Sequence, residues 1–141
     1  MSKNLIEYVG FNAFPKSIEI LSLNMNKIHS IENNAMINTK NLKVLSMLGL
    51  NESFSKNSLD DILKYRSNLQ ELKISGAKGG NISEDSVIVK MKNLKVLTLN
   101  KMGISGLPRQ FFWKMRFVKE LNLAGNNLSK FPYFFGAGWK S

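Results

Sequence analysis

Cysteine is absent from the 141-residue chain, and histidine occurs only at position 29. A chain without cysteine forms neither disulfide bonds nor thiolate metal sites. No stretch approaches the ~18 apolar residues that a membrane span requires. The first eight residues lack the apolar run and small-residue cleavage site of a secretion signal. These absences predict a cytoplasmic protein without a membrane segment.

Acidic residues are also scarce, with 10 aspartates and glutamates against 20 lysines and arginines and a formal net charge of +10. A basic balance of this size suits nucleic acid or another acidic partner. Lysine supplies 17 of the 20 basic residues, and asparagine is abundant. AT-rich codons favour the same two residues, so composition alone leaves a functional and a codon-driven origin of the charge open.

Residues for catalysis are missing as well. His29 has no neighbours at metal-ligand spacing and no nucleophile to activate. Asp60 and Asp61 are adjacent, and after Ser58 they are typical of the start of a short helix at about 59–66, where they would stabilise its dipole. Gly76-Ala-Lys-Gly-Gly80 lacks the ending of a phosphate loop and predicts a turn. We therefore expect no enzymatic activity, no metal and no cofactor.

What the sequence does contain is a repeated pattern of apolar residues, L-x-x-L-x-L. It begins five times, at residues 18, 42, 69, 94 and 118, at offsets of 24, 27, 25 and 24 residues. Alternation within each copy is typical of a β-strand. The inward-facing residues would be Leu21 and Leu23, Leu45 and Met47, Leu72 and Ile74, Leu97 and Leu99, and Leu121 and Leu123.

This pattern resembles the leucine-rich repeat family, whose unit is L-x-x-L-x-L-x-x-N-x-L. The first and last copies fill every position, and the fourth continues in the L-P-x-x-x-F-x-x-L style of 24-residue repeats. The resemblance implies an α/β solenoid, a horseshoe with a concave parallel sheet of about five strands and an irregular or short-helical convex side. It divides the single domain into an N-terminal cap (1–17), five repeats (18–128) and a C-terminal cap or truncated repeat (129–141).

The family's asparagine position is filled unevenly. Asn26 and Asn126 occupy it, whereas Leu50, Ala77 and Met102 replace it in the middle copies. The resemblance implies that such an asparagine hydrogen-bonds backbone groups leaving the strand, which cost ~1–3 kcal/mol when buried unpaired. The middle turns would therefore satisfy their backbone differently, or through water.

Stacked parallel strands bring outward side chains into columns. The first column would hold Ile20, Val44, Glu71, Val96 and Glu120; the second Ser22, Ser46, Lys73, Thr98 and Asn122; the third Asn24, Leu48, Ser75, Asn100 and Ala124. We expect this nearly neutral, partly apolar concave face to bind a partner through all of these residues except Ser75 and Ala124.

Basic residues cluster just before the strands. Nine of the 20 fall there: Lys40, Lys43, Arg66, Lys90, Lys92, Lys95, Lys114, Arg116 and Lys119. Such a rim, above all Lys40, Lys43, Arg66, Lys92, Lys95, Arg116 and Lys119, predicts a strip for an acidic protein or an RNA backbone. The alternative is a solvated lysine edge that prevents aggregation.

The resemblance makes a non-enzymatic protein–protein interaction scaffold the first expectation. An RNA- or ribosome-associated protein that uses the basic rim is the alternative, and a recognition fragment of a larger leucine-rich repeat receptor is another. The aromatic residues after position 130 would form a cover for the core, the stump of a longer array or a dimer interface: Phe131, Tyr133, Phe134, Phe135 and Trp139.

Overall fold

A computed structural model describes residues 5–32, 34–51, 54, 56–64, 68–77, 82–83 and 86–128, with the backbone alone at 56–59. The chain is α/β, with parallel strands and short helices. Its elements in order are β1 (Tyr8–Val9), β2 (Ile20–Ser22), β3 (Ser30–Ile31), β4 (Val44–Met47), α1 (Lys56–Leu63), β5 (Glu71–Ser75), a 3-10 helix (Val87–Lys90), β6 (Val96–Asn100), α2 (Phe111–Lys114) and β7 (Glu120–Asn122).

Five of the strands form one parallel sheet in the order β2-β4-β5-β6-β7. Each strand pairs with the strand of the next repeat, in the register that the recurring pattern predicts. The second residues of the strands therefore stack as one row: Leu21, Leu45, Leu72, Leu97 and Leu121. The whole row is buried, with exposed fractions of 4% or less.

The core lies on this leucine side of the sheet. The next inward row is also buried where the strands continue, at Met47, Ile74 and Leu99. Residues between the strands fill the core from behind, among them Phe54 and Phe111, which are both fully buried. Burying a side chain of this size stabilises the fold by ~1.5–3 kcal/mol, so the interior row and the connections hold the sheet together.

The N-terminal segment forms a second, two-stranded parallel sheet. In it β1 pairs with β3, which lies in the connection of the first repeat. Val9 and Phe14 are buried in the common core, whereas Leu5 and Phe11 are exposed. The sequence predicts apolar cover from this segment but not the strand pairing, because a two-residue strand has no alternation to reveal it.

Asn126 satisfies the turn of the preceding repeat. Its Nδ2 donates to the carbonyl oxygens of Leu99 and Leu123 at 2.6 and 2.9 Å. Its Oδ1 accepts from the backbone N–H groups of Met102 and Ile104 at 2.8 and 3.1 Å. The turn that carries Met102 in place of asparagine is thus completed by the next repeat.

The other asparagine-free turns use neighbouring backbone. Leu50 donates its N–H to the carbonyl of Ser75 at 2.8 Å, and Gly76 donates to that of Asn100 at 3.3 Å. Gly76 has a φ of +91°, and a Cβ there would lie 2.5 Å from the Leu50 oxygen. Only glycine permits that approach, which explains the residue in this turn.

The connections on the other side of the sheet differ from prediction in two places. Helix α1 begins at Lys56, so Ser58 lies inside it and cannot cap it, and no acidic residue stands in its first turn. The roles expected of Ser58, Asp60 and Asp61 are therefore wrong. Helix α2 was not predicted, because it has only four residues.

Candidate functional site

One face of the five-stranded sheet points away from the core, and we call it the outward face. Its first column is Ile20, Val44, Glu71, Val96 and Glu120, and its second is Ser22, Ser46, Lys73, Thr98 and Asn122. In the third column Ser75 pairs with Asn100, and the Asn24 side chain accepts a hydrogen bond from the Leu48 N–H. The pairing thus brings together residues from five distant parts of the sequence.

The outward face remains open to solvent to different degrees. Ile20 is 68% exposed, and Glu120 and Asn122 are exposed. Val44, Leu48 and Val96 are partly exposed, as are Glu71 and Lys73. A partner that covers this face would therefore bury aliphatic surface and contact charges of both signs.

Ser46 differs from its column neighbours because it is buried at 8% exposure. Its hydroxyl donates to Asn24 Oδ1 at 2.7 Å, and the same oxygen accepts from the Leu48 N–H at 2.8 Å. This pair of hydrogen bonds fixes Asn24 between the first two strands. Ser46 therefore supports the face through Asn24, and its own contact with a partner stays a prediction.

On the fourth strand of the sheet, Asn100 lacks such hydrogen bonds. Its Oδ1 atom is buried and has no hydrogen-bond partner among the described residues. An unpaired buried acceptor of this kind costs ~1–3 kcal/mol.

The basic rim is not uniformly basic. Backbone bonds place Glu19, Lys43, Gln70, Lys95 and Lys119 in one row, just before the first column. Lys43 Nζ lies 3.2 Å from Glu19 Oε1. No acidic residue is close to Lys43 in the sequence. Its neighbour in space is Glu19, 24 residues earlier, which neutralises the lysine charge.

The remaining rim residues lie in several settings. Lys40, Lys92, Lys95 and Lys119 are exposed. Among the described residues, Lys92, Lys95 and Lys119 have no carboxylate within ion-pair distance. Arg66 lies outside the described residues, and so do the five C-terminal aromatics proposed as a cover or dimer interface. Apart from Lys40, the exposed and unneutralised lysines of this set thus lie around the starts of β6 and β7.

Two exposed aromatic side chains stand beside this charge. Trp113 and Phe117 are 65% and 61% exposed. The Arg116 guanidinium carbon lies 4.4 Å from the Trp113 ring centroid and 4.6 Å from that of Phe117. Sequence reasoning placed Arg116 in the rim but missed the rings. The sequence did carry a signal, because both rings lie at positions that the apolar L-x-x-L-x-L pattern does not use.

Polar contacts also occur at the N-terminal segment. The Tyr8 hydroxyl donates to Glu32 Oε2 at 2.9 Å. This hydrogen bond, with smaller contributions from desolvation and from the Glu32 charge, raises the pKa of Tyr8 above its ordinary value of 10.0. His29 lies at the surface with Nε2 3.8 Å from Glu7 Oε2.

A groove of about 520 Å³ lies between α1 and the 3-10 helix. Asp60, Asp61, Lys64 and Lys90 line it together with apolar residues. Within the described ranges, no three His, Cys, Asp or Glu side chains gather closely enough to hold a metal ion. The groove therefore has no feature that identifies a ligand.

A scan against protein-family models finds no match for the chain, and a search of curated proteins finds none either. In the part of the chain that the structure describes, no helix has the length and apolar character needed to cross a membrane. The resemblance to leucine-rich repeats accordingly stays a prediction, and the outward face and the rim are candidate sites on geometry alone.

Proposed function

We propose that the chain is a non-enzymatic protein-binding module of the leucine-rich repeat type, and that its outward face binds the partner protein. The parallel five-stranded sheet, the stacked leucine row and the backward-reaching Asn126 all support this repeat architecture. The 24- to 27-residue spacing of the repeats supports it too.

The observation that carries the proposal is the exposure of the outward face. Parallel sheets are almost always covered on both faces. Here the leucine row covers one face, while the other presents a 68% exposed Ile20 and partly exposed Val44 and Val96. A partner protein would supply the missing cover.

Charge favours a protein over a polyanion at this surface. The first and second columns contain Glu71, Glu120 and one basic residue, Lys73. Phosphates would meet a net negative face. A folded protein of mixed polar and apolar surface matches it better, because interfaces of this kind carry apolar centres with polar rims.

The energy scale calls for more than the aliphatic contacts. Burying Ile20, Val44 and Val96 would contribute ~1.5–3 kcal/mol each, which only offsets an association cost of ~4–15 kcal/mol. Lys73, Glu120 and Asn122 are the accessible polar side chains on this face that would add to the affinity.

The proposal is tested by placing charge in the middle of the face. Affinity capture with quantitative mass spectrometry should identify a partner, and calorimetry with the purified partner should measure its affinity. The double variant Val44→Glu, Val96→Glu should bind at least about tenfold more weakly, since 1.4 kcal/mol already corresponds to that factor. Binding should also show a negative heat-capacity change from apolar burial.

The matched control is the double variant Leu5→Glu, Ile37→Glu. It adds the same two charges at exposed apolar side chains outside the sheet, so its affinity should equal that of the unaltered protein. Equal weakening by both double variants, or capture that disappears after ribonuclease treatment, contradicts the proposal.

A further inference from the structure

The last two repeats carry a second surface, which is separate from the outward face. It consists of Trp113, Arg116 and Phe117 with the neighbouring lysines Lys92, Lys95 and Lys119, and we call it the aromatic–basic patch. The Lys119 N–H donates to the Lys95 carbonyl at 2.7 Å, so the two lysines lie directly before the adjacent strands β6 and β7.

The rings in this patch are held in place. Arg116 lies over both rings, and its Nη1 donates to the Trp113 carbonyl at 3.1 Å. Trp113 and Phe117 nevertheless remain about two-thirds exposed. Their positions are thus fixed while most of their surface stays accessible, an arrangement that lowers the entropy cost of stacking a ligand on them.

The charge in the patch is available to a ligand. Lys92, Lys95 and Lys119 are exposed and, in the described part of the chain, have no acidic partner. Lys43, at the equivalent position of the second repeat, is paired with Glu19. The exposed Lys119 lies two residues after the exposed Phe117, so an accessible cation and accessible rings stand in the same segment of the described rim.

We propose that the aromatic–basic patch binds single-stranded nucleic acid. Proteins bind such strands by stacking bases on aromatic side chains and by lining the backbone with cations. Trp113 and Phe117 would stack one base each, with Arg116 as the positioning residue between them. Lys92, Lys95 and Lys119 would contact the phosphates.

Two other partners fit the patch less well. An acidic peptide would use the lysines, but its carboxylates offer no flat aromatic surface to stack on the rings. An anionic membrane would take up Trp113 and Phe117 only together with the guanidinium that lies over them, and burying that charge in hydrocarbon is costly. Nucleic acid alone uses both the rings and the cations without breaking the interactions of Arg116 with the rings.

Intrinsic fluorescence gives a direct measurement of stacking. The chain has two tryptophans, so in a Trp139→Phe background all tryptophan fluorescence comes from Trp113. A 12-nucleotide oligouridine should bind and quench that emission. Heparin, a polyanion without bases, should bind without comparable quenching. Binding of both with no quenching by the oligonucleotide overturns the proposal, because the surface then attracts charge only.

Affinities measured by fluorescence anisotropy of the labelled oligouridine distinguish the contribution of the rings from that of the cations. In the natural background, Trp113→Ala and Phe117→Ala should each weaken binding by about tenfold without changing its salt dependence. The double variant Lys95→Gln, Lys119→Gln should reduce the slope of log affinity against log salt by about 1.4, because each phosphate that is no longer neutralised lowers it by ~0.7.

The protein offers a control for each kind of contact. Phe11→Ala removes a 62% exposed ring of the N-terminal segment, and Lys43→Gln removes the ion-paired lysine. Both should bind oligouridine within about twofold of the unaltered protein. Arg116→Lys keeps the charge but not the planar stack, so it should weaken quenching while it preserves the salt slope.

Three results would overturn the proposal: Trp113→Ala binds as tightly as Phe11→Ala, the lysine variant keeps the full salt slope, or phosphatidylserine vesicles compete with oligouridine at the patch and bind more tightly. Urea unfolding of each variant distinguishes weakened binding from a disrupted fold. Because the residues of the outward face are unchanged in all of them, failure here would not affect the proposed protein-binding function.

Discussion

The two ends of the sheet have the same backbone arrangement but use their polar side chains differently. At the first end, Glu19 pairs with Lys43, and Asn24 accepts hydrogen bonds from both Ser46 and Leu48. At the last end, neither Lys119 nor Asn100 Oδ1 has such a partner among the described residues. A regular repeat therefore does not imply a uniform surface: one end pairs these polar groups internally, and the other leaves them without a partner among the described residues.

The largest expected effect on stability concerns Asn126, whose side chain satisfies the turn around Met102. Asn126→Ala should lower the free energy of unfolding by ~2–4 kcal/mol, because four backbone groups lose their partner at once. Asn24→Ala, which removes two hydrogen bonds at the first end, should cost only ~1–2 kcal/mol. Urea unfolding followed by circular dichroism measures both.

The control for this pair is Asn127→Ala, because the hydrogen bond of Asn127 to the Ile104 carbonyl is made by its backbone N–H rather than its side chain. It should leave the free energy of unfolding within about 0.5 kcal/mol of the unaltered protein. If Asn24→Ala proved as costly as Asn126→Ala, the two ends would depend equally on their asparagines.

A smaller effect on stability is expected when the ion pair at the first end of the sheet is removed, so that its lysine is unpaired like Lys119 at the last end. Glu19→Gln releases Lys43, and removal of the exposed ion pair should change the free energy of unfolding by less than about 1 kcal/mol. The variant should elute from heparin at higher salt, because a cation is now available in the row. Asp61→Asn raises the net charge equally on a distant helix and should shift elution less. Identical shifts would mean that only net charge matters.

The smallest effect is a loss of stability at alkaline pH that involves Tyr8 of the N-terminal segment. The pKa of Tyr8 is raised above 10.0 in the folded state, so the protonated hydroxyl contributes stability below about pH 10 that is lost as the pH rises through the folded value. Tyr8→Phe and Glu32→Gln should both make the decline in stability above about pH 10 shallower. Unfolding at a series of pH values from about 9 to 11 tests this, and parallel curves for all three proteins would contradict it.

The parts of the fold that follow an unbroken pattern could be predicted from the sequence. The alternation around Leu21, Leu72 and Leu97 predicts the strands, and a nearly constant offset predicts their register. The start of α1 was missed because the capping signal at Ser58 is ambiguous and local. The β1–β3 pairing depends on tertiary contacts that no short window contains.

The geometry of the candidate sites could be predicted in part, whereas their function stays a prediction. The columns of the outward face follow directly from register, whereas the Glu19–Lys43 pair joins two repeats and is invisible in any single window. Trp113 and Phe117 escaped attention because they lie outside the apolar frame, yet a large ring at a position that the core does not need is itself informative. Comparing equivalent positions across repeats would have found both features.

The carboxamide of Asn126 also has a consequence for how such a chain can be rearranged. It serves the unit before its own, and its acceptor oxygen reaches back 24 residues to the Met102 N–H. Each junction of this kind is therefore specified by the downstream partner, and the order of the units is not interchangeable. A shuffled or extended version of this protein must place an asparagine at that distance after Met102, or two N–H groups at the seam will have no acceptor.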